Sequence, residues 1–198
     1  MNTLFGTRGS PYVRILSAAL AAMGADYETN ELKPWDNPDY AYSLSPLGKI
    51  PVLVCDNGDT LIDTIHIVGR LSERYGMKET FLPNCQDDEI MLIVASGALE
   101  SLVLMSWEFK RDEDKIDEST VRRYTRRVEN SLDYINRHMA KGKSYSRLTE
   151  FFIYFLSEFL AEKNFVTLNG EYEGISLACR KIGERNEFLG DEKYLKGL

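Results

Sequence analysis

Strand signals stop at about residue 76, and that single change of texture limits the architectures open to the chain. Before it, short alternating or apolar runs interleave with helical stretches. "NTLFG" (2–6) reads as a strand. "SPYVRILSAALAAMG" (10–24) reads as a helix with Ser10 at the N-cap, Pro11 in the first turn and Gly24 at its end. "DYETNEL" (26–32) alternates as a second strand, and "NPDYAYSLSPLG" (37–48) is loop with a short helical turn. In "GKIPVLVCDNGDTLIDT" (48–64), Asn57-Gly58 closes a β-hairpin whose first strand is opened by Pro51, a residue that cannot donate to a ladder. "DTIHIVGRLSERYG" (63–76) is a third helix. The order β-α-β-α-β-β-α calls for a mixed sheet with a right-handed crossover between its first two strands.

Residues 77–86 contain Pro83 and lack periodicity, so they read as a linker. From 87 onward only helical spacing is found. It runs over 87–111, over 119–139 (Val121, Tyr124, Val128, Leu132, Ile135, Met139), over the apolar 148–160 and over 174–188. The expected fold class is therefore α/β plus all-α: an N-terminal domain over 1–76, a linker over 77–86 and an all-helical domain over 87–198.

Charge and cysteine usage narrow the functions. The net charge is −7 and the pI about 5.0. Neither half is basic, which argues against nucleic-acid binding. "RRYTRR" (122–127) would form a basic helix face, balanced by the upstream "KRDEDKIDE". Cys55, Cys85 and Cys179 are scattered with no C-x-x-C, so neither a dithiol motif nor a metal site is expected. His66 and His138 lie far apart, without metal-ligand spacing. The N-terminus lacks the pattern of a signal peptide. The 148–160 stretch is too short to span a bilayer and carries Glu150 and Glu158, so no membrane partner is expected.

Three local motifs then coincide with this order of elements: "SPYVR" opening the first helix, "PLGKIPVLV" leading into a strand, and "LIDT" opening the third helix. Together they resemble the glutathione transferase family, closest to small bacterial members. The resemblance is strong over residues 1–75 and architectural beyond. It implies a thioredoxin-like N-terminal domain followed by a helical bundle, reduced glutathione as co-substrate, no metal, a small electrophilic second substrate and a cytoplasmic homodimer. It also implies a cis Ile50–Pro51 bond that leaves the Ile50 backbone free to pair with the extended tripeptide. Asp63 and Thr64 match the family's acid-hydroxyl pair for the γ-glutamyl end. Lys49 would reach the glycyl carboxylate. Ser10 matches the catalytic hydroxyl that hydrogen-bonds the sulfur and lowers its pKa, although Ser-Pro is also a plain helix cap, and Thr7 or Tyr12 lie close enough to substitute.

Tyr12, Met105 and Trp107 are the candidates for the second-substrate pocket. Trp107 and Phe109, two apart, cannot share a helix face, so one of them is expected in the core. His66 is expected to be a satisfied, partly buried residue. The family's Ser/Thr-x-x-Asp capping box is matched by "SYSR" (144–147), with Arg147 in place of Asp. The reciprocal box is therefore expected to be lost, leaving Ser146 with Glu150, or Ser144 alone, to cap the following helix. The rival reading is a non-catalytic scaffold for a protein partner. A cysteine-dependent reductase is disfavoured because no Cys lies near residue 10.

Overall fold

A computed structural model describes residues 1–163 and 172–185. Two compact units are formed, one over residues 1–82 with the described residues 184 and 185, and one over 83–183.

The first unit contains β1 (Asn2–Gly6), α1 (Pro11–Ala22), β2 (Tyr27–Glu31), α2 (Pro38–Leu44), β3 (Val52–Val54), β4 (Thr60–Ile62), α3 (Thr64–Arg74) and α4 (Lys78–Phe81). The sheet order is β2-β1-β3-β4, with β1 parallel to β2 and both other pairings antiparallel. Period-two alternation sends neighbouring side chains to opposite faces. Leu4 and Leu53, directly opposite one another, are both fully buried. Phe5 and Val52 belong instead to a cluster with Leu32 and Ala41, against which Leu44 of α2 packs. Burying a side chain of that size stabilises by about 1.5–3 kcal/mol. Close approach of α1 to β1 requires Gly6: a Cβ there would lie 2.4 Å from Val13 Cγ2.

The helical turn expected within 37–48 is α2, two turns long, because Asn37 caps it and Pro38 fits its first turn. One local reading is revised. The expected linker holds α4, whose Phe81 is buried.

The second unit contains α5 (Gln86–Glu108), a 3-10 turn (Glu113–Lys115), α6 (Glu118–Met139), α7 (Arg147–Lys163) and α8 (Glu173–Gly183). The helix expected over 174–188 ends at Gly183, and 186–188 lie outside the described residues. Helix α7 is the central one: Leu148, Phe151, Phe152, Ile153, Phe155, Leu156, Phe159 and Leu160 are all buried. It packs against α5 and α8. Among the described residues, α5 is the helix long and apolar enough to cross a bilayer; here it packs against α6 and α7. The basic face of α6 is largely engaged. Arg122 pairs with Glu118 at 2.9 Å, the Arg123 and Arg127 guanidinium groups lie 5.3 and 5.7 Å from the Tyr124 ring, and Arg127 donates to Ser101 Oγ. The N-cap of α6, Asp117, accepts hydrogen bonds from the hydroxyls and N–H groups of Ser119 and Thr120, which hold its carboxyl down at about 2.

The start of α7 corrects the expected loss of the capping box. The cap is Ser146, whose carbonyl accepts from Glu150 N–H, and the position three residues on is Thr149. Arg147 is the first helical residue and takes no part in the box. The missing carboxylate comes from another helix. Asp88, in the first turn of α5, accepts from Ser146 N–H at 2.8 Å, from the Thr149 hydroxyl at 2.6 Å and from Ser146 Oγ at 3.3 Å. All three residues are buried. The box survives with its acid supplied across the bundle.

Candidate functional site

Strand register assembles the site. The pairings Phe5↔Val52 and Val52↔Ile62 put the C-terminal end of β1, the N-terminal end of β3 and the C-terminal end of β4 at one end of the sheet. The segments adjoining those ends are the β1–α1 loop running to Ser10, the Lys49-Ile50-Pro51 approach to β3, and Asp63-Thr64 at the start of α3. Residues far apart in sequence are thereby neighbours.

Ser10 is the N-cap of α1. Its N–H donates to Thr7 O at 3.0 Å, closing a turn, and its Oγ accepts from Val13 N–H at 3.4 Å. A serine hydroxyl has one proton to donate and two lone pairs to accept with. Accepting the capping bond leaves that proton available, so capping and donation to a sulfur are compatible.

The Ile50–Pro51 peptide bond is cis, and the ladder with β1 and β4 begins only at Val52. The loop before it is set by Gly48, with φ at +57° and the Tyr42 ring 2.9 Å from where a Cβ would sit. An alanine there would be strained twice over. Lys49 is exposed and has no ion-pair partner among the described residues.

Asp63 is the N-cap of α3 and has an unusual backbone, φ 68° and ψ 126°. For a non-glycine residue this costs about 1–3 kcal/mol. Its Oδ1 accepts from both Ile65 N–H (3.0 Å) and His66 N–H (3.1 Å), which offsets part of that cost. Among the described residues no hydrogen bond reaches Oδ2. Thr64 is buried at the first helical position, where the backbone N–H has no intrahelical acceptor. The end of α3 thus offers one acceptor oxygen beside an N–H and a hydroxyl, at the positive end of a helix dipole.

His66 is exposed, not partly buried. Its Nδ1 lies 3.1 Å from Ile62 O, so Nδ1 carries the proton in that bond. Tyr12 is half-buried on α1. Met105 is 1% exposed inside the helical unit, its sulfur accepting from the Thr125 hydroxyl at 3.6 Å, so packing explains it. Trp107 and Phe109 are both exposed, which corrects the expectation that one is core. Helix α5 ends at Glu108, and Phe109 is its C-cap. Lys110 sits 4.0 Å over the Trp107 ring.

Cys55 is buried at the end of β3 opposite Pro51, and desolvation raises its thiol pKa. Burial pushes Cys179 up to about 12. Cys85 is the exposed cysteine. Iodoacetamide at neutral pH is expected to label Cys85 in the native protein, leaving Cys55 and Cys179 to react only after unfolding; mass spectrometry of the labelled peptides checks this.

Comparison with known proteins bears on the fold that carries this site. Residues 4–79 match the family described as Glutathione S-transferase, N-terminal domain. The uncharacterized GST-like protein YibF of Escherichia coli K12 is 27% identical over 144 residues, covering 70% of each chain. Among solved structures, a glutathione S-transferase from Methylobacillus flagellatus KT with GSH bound superposes with a TM-score of 0.86. The identity is 21%, with 96% of this chain and 98% of that one covered. A glutathione S-transferase from Methylobacterium radiotolerans JCM 2831, in complex with glutathione sulfonate, gives 0.85 at 22% identity, with 96% and 93% covered. Residues 4–79 thus match the family's N-terminal domain, and the chain as a whole has the glutathione transferase fold.

Proposed function

We propose that the chain binds reduced glutathione at this end of the sheet and activates its thiolate for attack on a small electrophile. The observation that carries the proposal is the start of α3. Oδ1 of Asp63 caps the helix, while Oδ2 stays open beside the Thr64 N–H and hydroxyl. That set suits a zwitterionic amino-acid head, with the ammonium on Oδ2 and the carboxylate on the donors. Lys49 would take the glycyl carboxylate, and the Ile50 backbone would pair with the extended peptide. The relatives solved with glutathione or its sulfonate support this reading. Family likeness also supports a cytoplasmic homodimer.

In the reaction, the Ser10 hydroxyl donates to the sulfur and favours thiolate over thiol, each pKa unit corresponding to about 1.4 kcal/mol. The thiolate lone pair attacks an electrophilic carbon, and the displaced group leaves with the bonding electrons.

The test is calorimetric titration of the purified protein with reduced glutathione, with one saturable site per chain as the expected result. Absence of heat at millimolar glutathione sinks the proposal and leaves the scaffold reading. Ser10→Ala should leave affinity within about twofold while raising the bound thiol's pKa by about one unit, the loss of one charge-assisted hydrogen bond. A titration curve identical to the wild type would reduce Ser10 to a cap.

A further inference from the structure

We propose that Tyr42 is a positioning residue for the glycyl end of glutathione: its ring holds Gly48 in place and so fixes the backbone from which Lys49 reaches the terminal carboxylate. This rests on the glutathione reading and deepens it, because it makes the site read the third residue of the tripeptide. The starting observation is a contact. A Cβ built on Gly48 would lie 2.9, 3.0 and 3.2 Å from Cε1, Cζ and Cδ1 of Tyr42. One edge of the ring therefore runs along the Gly48 backbone, at a separation that leaves no room for a side chain. The ring is nonetheless 61% exposed, so filling the core is not its use. Its hydroxyl has no partner among the described residues. What Tyr42 does in this fold is cover Gly48.

Lys49 stands between two anchors. On its C-terminal side, Ile50 packs on the cluster that contains Phe5, Ala41 and Val52. On its N-terminal side, the 2.9 Å bond from Gly48 N–H to the carbonyl of buried Ser45 closes a turn. Beyond that bond the backbone groups of Lys49 and Ile50 have no hydrogen bond among the described residues, and the ladder resumes only at Val52. The junction is a glycine, the residue with the most backbone conformations open to it. The Tyr42 ring restricts that freedom from a fixed base. Its neighbour Ala41 is buried in the same cluster, and Tyr40 sets its ring edge-on to Phe5 at 6.2 Å. A lysine is a point charge on a flexible stem, so its aim depends on where its backbone is held. A backbone held before the ligand arrives need not be ordered by it, and affinity gains accordingly.

The experiment is calorimetric titration of wild type, Tyr42→Ala and Tyr42→Phe with two ligands, reduced glutathione and γ-glutamylcysteine, which ends one residue earlier and lacks the glycine. Tyr42→Ala leaves about one residue's backbone to be ordered on binding, so glutathione should bind about tenfold more weakly than to wild type. Its affinity for γ-glutamylcysteine should stay within about twofold of wild type, because that ligand does not reach Lys49. Tyr42→Phe keeps the ring edge and should match wild type with both ligands. On a Lys49→Ala background, where the glycyl contact is already gone, adding Tyr42→Ala should cost less than about twofold. Thermal unfolding of Tyr42→Ala should be near that of wild type, since the side chain is exposed. If that variant does not fold, Tyr42→Leu, which keeps the bulk and loses the planar edge, carries the same expectations. Unchanged affinity for glutathione, an equal loss with both ligands, a phenylalanine that fails to rescue, or a full tenfold loss repeated on Lys49→Ala overturns the role of Tyr42. Wild type without saturable binding of glutathione removes the glutathione site itself, whereas normal wild-type binding with an unaffected Tyr42→Ala removes only Tyr42.

Discussion

Asp88→Ala is expected to destabilise the helical unit by about 3–5 kcal/mol. The carboxylate is buried and accepts from the Ser146 N–H and from the Ser146 and Thr149 hydroxyls. Each buried donor left without an acceptor costs about 1–3 kcal/mol. The two hydroxyls, 3.0 Å apart, can still satisfy one another, so the cost falls short of three full penalties. The backbone N–H has no such alternative. Loss of the acid therefore frees the start of α7, the helix on which the unit's apolar core is built. Urea unfolding followed by far-ultraviolet circular dichroism measures the loss. Rescue identifies its cause: adding Thr149→Asp to Asp88→Ala puts the acid three residues after the Ser146 cap and rebuilds the box within one helix. About half of the lost stability should return. A double variant no more stable than Asp88→Ala, or a single variant within about 1 kcal/mol of wild type, would show that the cross-helix box is not what holds α7 in place.

Asp63→Asn is the second large effect, and it falls on binding. Asparagine caps a helix as well as aspartate and tolerates positive φ. Its Oδ1 can keep the bonds to Ile65 and His66 N–H, so thermal unfolding should be near that of the wild type. What changes is the second position, where an amide NH2 replaces the open Oδ2 and would face an ammonium. Removing a charge-assisted hydrogen bond worth about 1.5–3 kcal/mol lowers affinity for glutathione on the order of 10–100-fold. Asp63→Ala should lose binding to a similar degree and, in addition, about 1 kcal/mol of stability through the missing cap. The contrast between the two variants is the diagnostic. If asparagine binds glutathione as tightly as aspartate, the carboxylate serves the helix alone.

Much of this was legible in the sequence because the interactions concerned are short-range. Ser10 and Pro11 start α1 through bonds that span three residues. Asn57-Gly58 turns a hairpin of three-residue strands. Asp63 caps α3 two and three residues ahead. In each case residue type and spacing fix the geometry before any packing occurs. The errors fell where the partner is distant. Arg147 was read as the broken member of a capping box because the substitute acid, Asp88, is remote in sequence and reaches Ser146 only when α5 packs against α7. Met105 was read as a pocket residue because helical spacing cannot say which neighbour a face will meet. His66 was expected to be partly buried for the same reason.

Residue type and local spacing specify the kinds of element, their order and caps, and the groups carried at Ser10, Lys49, Pro51, Asp63 and Thr64. Which of them share one end of the sheet, which oxygen of Asp63 is left open, and which acid completes the start of α7 emerge only when the chain folds. The division follows from distance along the chain. Hydrogen bonds closed within a turn are specified by spacing, whereas contacts between remote segments depend on strand register and on the packing of buried faces.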